Sequence, residues 1–151
     1  MLKAGFSRLD VTPPLGSFVA GDFSARYSKA VLDPIFLNAL ALSDGKETVL
    51  IISADFLQML RKYADPIREK IAQRVNIPVE NIMICCLHQH TSIVLNDGVH
   101  NNVVKDRVYM DMLDRKFCDV SQMAVNDMKE AELSTAIRET DEQIAFIRRY
   151  V

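Results

Sequence analysis

Tryptophan is absent from this 151-residue chain, and cysteine and histidine occur only three times each. Cys85 and Cys86 are neighbours and Cys118 stands apart. An odd count with an adjacent pair is a poor disulfide framework, so the thiols are expected to stay reduced, as in the cytoplasm. An excess of one charge is also missing. The 18 Lys and Arg face 20 Asp and Glu, a net of -2, without the basic surplus of a nucleic-acid binder. No apolar run reaches the roughly 18 residues that read as a membrane span. The opening MLKAGFSRLDVTPP holds one early lysine but no apolar stretch of signal-peptide length before Asp10, so no secretory signal is read. P-loop, G-x-G-x-x-G and G-x-S-x-G patterns are lacking too, which removes the common phosphate-binding and serine-hydrolase signatures. What is present is a 49% hydrophobic chain, enough for one domain over residues 1–151 with its own core.

The hydrophobic pattern predicts a mixed α/β fold. LKAGFSRLDVT alternates as a half-buried strand does, and TPPLG stops it. Residues 15–30 read as a long loop. Residues 35–42 and TVLIISADF read as two strands around SDGKE, with Asp44-Gly45 as the hairpin signal. The second is a continuous apolar run, expected to be buried on both faces. Residues 58–75 have helical spacing, with a new helix expected to start at Pro66 and Asp65 as its N-cap. IMICCL is a further apolar strand after the linker NIPVEN. Strand, helix, strand implies a βαβ crossover and a parallel pair. A polar loop, TSIVLNDGVHNN, precedes a helical pattern over residues 103–131, whose Met stripe reads as core packing. LSTAIRETD and EQIAFIRRYV then read as two strands around Asp141-Glu142.

Chemistry concentrates where strands end. Ligands of α/β sheets sit outside the carboxyl ends of strands, and Asp55 and the pair His88 and His90 both fall there. Extended backbone would turn residues i and i+2 to one side, aiming His88 and His90 into one pocket and Gln89 away. Neutral imidazole is the commonest protein ligand of zinc and similar ions. His88 and His90 can supply one or two of the three or four ligands zinc needs. Asp55 can ligate or orient an imidazole, and His100 can swing back across its loop. A Cys86–His88 nucleophilic pair is disfavoured, because Cys86 lies inside an apolar run. Structural histidines in a plain α/β domain are the alternative at this point.

Four segments, in order, resemble the neutral/alkaline ceramidase family: AGFSRLDVTPPLG, FLNALALSDGKETVLIISADFL, NIMICCLHQHTS and IAFIRRYV. The resemblance implies the N-terminal portion of a ceramidase-like catalytic domain, an incomplete part of a larger α/β unit. It implies a zinc-dependent hydrolase of N-acyl amides, lipid-like in the family, with His88 as zinc ligand and His90 as ligand or catalytic partner. Asp55 is the candidate catalytic carboxylate. The family's remaining ligands, a histidine, a glutamate and a tyrosine, lie beyond residue 151. Gln89 replaces the family's threonine, and Thr91-Ser92-Ile93 replaces Ser-Gly-Pro, where Ser92 is expected to resist a glycine's conformation. The rival reading is a non-catalytic binding or oligomerising module of the same fold. Exposed sheet edges lead to an expectation of self-association into a homo-oligomer.

Overall fold

The structure is a computed structural model and describes residues 1–22, 24–95 and 106–144. Its centre is a five-stranded sheet of mixed direction. In chain order the strands are β1 (Lys3–Asp10), β4 (Phe36–Ser43), β5 (Thr48–Ala54), β6 (Ile82–Cys86) and β7 (Lys129–Glu130), with β2 (Phe18–Val19) and β3 (Arg26–Tyr27) forming a separate two-residue ribbon. Across the large sheet the order is β6-β5-β4-β1-β7. β1 and β5 each pair antiparallel with β4, while β5 and β6 run parallel. The parallel pair is joined through helix α1 (Arg61–Val75), which is the expected βαβ crossover. Asp44 closes the β4–β5 hairpin by accepting the Lys46 and Glu47 N–H groups at 2.8 Å each.

Both helices lie on one face of the sheet. Leu37, Ala41, Leu50, Ile52 and Ala54 present that face and are fully buried against Ile71 of α1 and Leu113, Phe117, Val120 and Ala124 of α2 (Arg107–Asn126). The Asp106 carboxylate caps α2 by accepting the Tyr109 N–H at 3.0 Å. Close approach of α2 to β1 requires a residue without a side chain. A Cβ on Gly5 would stand 2.0 Å from the Ala124 carbonyl oxygen. Two residues along, the Ser7 hydroxyl donates to the Val120 carbonyl at 2.5 Å.

Several expectations are corrected. Residues 15–30 contain the β2–β3 ribbon, its rings Phe18 and Tyr27 meeting edge to face at 5.5 Å. α1 starts at Arg61, so Asp65 is an interior residue and Pro66 lies within the helix. The helix survives its proline because Ile67 and Ile71 are buried and because Asp65 bridges Arg61 at 3.3 Å and Arg68 at 3.2 Å. Only one face of β5 is buried, with Val49 on the other face 37% exposed. The second helix ends at Asn126, where the chain turns to pair β7 with the start of β1. Residues 131–144 form no strand, and residues 145–151 lie outside the described residues. Among the described residues, no helix is long and apolar enough to cross a membrane.

Candidate functional site

The parallel register sets Ala54 beside Cys86, so the segments leaving β5 and β6 emerge together at one sheet edge. They remain joined past the strands: Leu87 N–H donates to the Ala54 carbonyl at 3.1 Å and His88 N–H to the Phe56 carbonyl at 3.0 Å. Asp55 clips this edge to β4. Its carboxylate accepts the Phe36 N–H at 2.9 Å, and its own N–H donates to the Phe36 carbonyl at 3.0 Å. The Asp55 carbonyl accepts from the Gln89 side-chain amide. Gln89 thus points back at the segment leaving β5.

The alternation itself is not the reason the histidines converge. His88 takes a left-handed backbone, φ 62°, and leaves the strand. This conformation is rare outside glycine and carries strain of roughly 1–2 kcal/mol for a residue with a Cβ. Even so, the rings of His88 and His90 stand 5.3 Å apart, inclined at 74°. His88 Nδ1 lies 3.0 Å from the Leu57 carbonyl and His90 Nδ1 2.7 Å from the Gly21 carbonyl. A carbonyl only accepts, so each Nδ1 carries the proton in the neutral ring. Each Nε2 is then left with its lone pair, the tautomer a metal ligand requires. Both residues are exposed.

The β2–β3 ribbon holds the histidine loop from the other side. Ala20 N–H donates to Ser92 at 2.7 Å, Val94 N–H to Phe18 at 3.3 Å, and Val19 bridges Ile93. Phe18, Ala20 and Val94 form a small buried cluster there, with Leu57 against it. Arg26 donates through Nη2 to the His90 carbonyl at 2.9 Å and to the Ala20 carbonyl at 3.2 Å, while Nε pairs with Asp22 at 3.2 Å. Gly21 packs closely against the His90 side chain. Ser92 does not strain its loop; it is buried, and its hydroxyl accepts the Leu57 N–H at 3.1 Å. Gly21, Arg26 and Leu57 were not among the residues singled out from the sequence. Two of them act through backbone carbonyls, which have no sequence signature, and Arg26 looks like any surface arginine.

Among the described residues, no three of His, Cys, Asp and Glu converge as a metal-holding group. The structure brings His88 and His90 together and places the Asp55 carboxylate on Phe36. His100 lies outside the described residues. Burial pushes the Cys86 thiol above its ordinary range, with Cys85 adding to the shift, which opposes a thiolate nucleophile. The Asp-Val-Thr-Pro-Pro segment is a knot at the end of β1. Asp10 accepts the Thr12 hydroxyl at 2.6 Å and its N–H at 2.8 Å, and these bonds hold the Asp10 carboxyl below the usual range. Thr12 Oγ in turn accepts the Ile35 N–H at 2.9 Å.

No protein-family model matches the sequence, and no curated protein does. Solved structures do resemble the fold. Neutral ceramidase from Pseudomonas aeruginosa superposes with a TM-score of 0.68 at 10% identity, over 85% of this chain and 22% of that one. A structure described as ceramidase complexed with C2 gives the same values: TM-score 0.68, 10% identity, 85% and 22%. This likeness shows a ceramidase-like fold, and the chain spans about a fifth of the length of either neighbour.

Proposed function

We propose that this chain supplies the histidine part of a zinc-dependent site that hydrolyses amide bonds in N-acyl, lipid-like substrates. The observation that carries the reading is the pair of imidazoles whose Nδ1 protons are both held by backbone carbonyls, leaving two exposed Nε2 lone pairs 5.3 Å apart by ring centre. The ceramidase-like fold and the His-x-His segment after β6 support the choice of amide chemistry. His88 is the metal ligand, and His90 is a second ligand or the partner of the attacking water. Asp55 is a positioning residue that holds the loop through Gln89. When bound, zinc supplies Lewis acidity toward an amide carbonyl and makes water a nucleophile near neutral pH.

Two imidazoles suit zinc but do not complete its usual three or four ligands. Further donors are needed to complete the set. A non-catalytic module of the same fold is the rival reading, favoured by the absence of a third donor among the described residues.

Calorimetric titration with zinc, on wild type, His88→Ala and His90→Ala, tests the site. One zinc per chain is expected, with affinity reduced at least about tenfold in each variant. Hydrolysis of a fluorogenic short-chain N-acyl sphingosine, with and without zinc, tests the reaction. Zinc-dependent hydrolysis supports the amide chemistry, and no zinc binding overturns the metal site.

A further inference from the structure

Among the described residues the helices cover only one face of the large sheet, and the opposite face is apolar in register. Phe6 stands opposite Leu40, Leu40 opposite Ile51, and Ile51 beside Met83, a single row across β1, β4, β5 and β6. Leu42 sits opposite both Ala4 and Val49 in the next row. Phe6 is 62% exposed and Met83 52%. On the other side of the row, Arg8 stands opposite Asn38 and Asn38 opposite Ser53. The Arg8 guanidinium lies 3.4 Å over the Phe36 ring.

We propose that this face is the contact surface of a homodimer, in which a second copy packs its own Phe6–Leu40–Ile51–Met83 row against it, sheet upon sheet. Three observations select this occupant. The first is size. Four strands at the usual spacing span roughly 20 by 25 Å, about 500 Å² per copy and about 1,000 Å² for two, the area at which a specific interface becomes credible. The second is what this chain can place there itself. Residues 133–144 stand in water, with Leu133 75%, Ile137 102% and Ile144 74% exposed. The third is charge. The Phe6–Leu40–Ile51–Met83 row carries no charged side chain; Lys129 stands opposite Ala4 at the margin and the Arg8 cation is held on Phe36, so the apolar row meets itself without opposed charges.

A two-fold axis between the sheets makes the contact isologous, with the sheets about 10 Å apart. This differs from the edge-to-edge association expected from the sequence, which would leave the apolar row in water. It is also independent of any metal at His88 and His90.

Sedimentation velocity across a concentration series, with far-ultraviolet circular dichroism as the check of fold, tests it on wild type, Phe6→Glu, Met83→Glu and Met83→Leu. Wild type and Met83→Leu are expected to be dimers. Each glutamate variant should raise the dimer dissociation constant at least about 30-fold while keeping the wild-type spectrum. Where a glutamate variant loses its spectrum, Val49→Lys at the exposed margin carries the same expectation. A wild type that is monomeric at every concentration overturns the proposal, whether the face is open or covered by the chain's own residues 133–151. A dimer that survives the folded charged variants also overturns it, placing association at a strand edge.

Discussion

A Cβ built on Gly21 would stand 2.5 Å from the Cγ of His90, in the middle of the imidazole's own volume. Gly21 also has φ 94°, and its carbonyl accepts the Nδ1 proton of that ring. One residue thus provides the space, the backbone conformation and the acceptor for His90. Gly21→Ala is expected to displace the ring, lower zinc affinity about 10- to 100-fold and destabilise the fold by about 1–2 kcal/mol. Zinc titration and urea denaturation read the two effects, and unchanged values for both would mean that the ribbon does not position His90.

His88 offers a separable test of strain. His88→Ala and His88→Gly both remove the imidazole, but only glycine relaxes at φ 62°. The glycine variant should be more stable than the alanine variant by about 1 kcal/mol. Equal stabilities in urea would show that the left-handed turn at His88 is not held in solution.

Much of the fold was legible because β4, β5 and β6 are long apolar runs bounded by turn residues. The place of the site was legible for the same reason: parallel strands end together, and polar residues follow both. The two histidines come together by a route alternation does not describe, since alternation assumes an extended His88, and both stand exposed. Asp65-Pro66 misled in the same local way. Tertiary burial of Ile67 and Ile71 outweighs the proline's missing donor, and sequence position does not report that burial. The acceptors at Leu57 and Gly21 were invisible because a carbonyl oxygen belongs to every residue.

Tyr109 predicts an alkaline transition. Its hydroxyl donates to the Val11 carbonyl. Burial, with the Asp10 carboxylate adding to it, raises the phenol well above its ordinary value of 10.0. The fold therefore favours the protonated ring. That contribution is complete below pH about 10 and is lost as pH rises from there toward the folded value. Tyr109→Phe should cost about 1–2 kcal/mol at neutral pH by leaving Val11 without its donor. Above pH about 10 the gap between wild type and variant should narrow. A constant gap across the alkaline range in urea titrations would contradict this.

Gly5 should be the least replaceable residue of β1. Its Cβ would meet the Ala124 carbonyl at 2.0 Å and the Met128 nitrogen at 2.7 Å, both backbone atoms of the α2 end. Gly5→Ala is expected to destabilise by about 3 kcal/mol or more, whereas Gly45→Ala, with open space around its Cβ but φ 94°, should lose about 1 kcal/mol. Thermal unfolding of the two variants should rank them in that order.

The bonds that tie β1 and the residue after it to α2 join residues far apart in sequence: Ser7 to Val120 across 113 positions and Tyr109 to Val11 across 98. The ribosome releases β1 first, yet its helix-facing side stays bare until α2 has been made. Hairpin contacts between β4 and β5 can form early, but closing so long a loop is slow and leaves a sticky strand waiting. Synthesis of this chain therefore passes through an interval in which the helix-facing side of residues 3–10 has no helix to cover it.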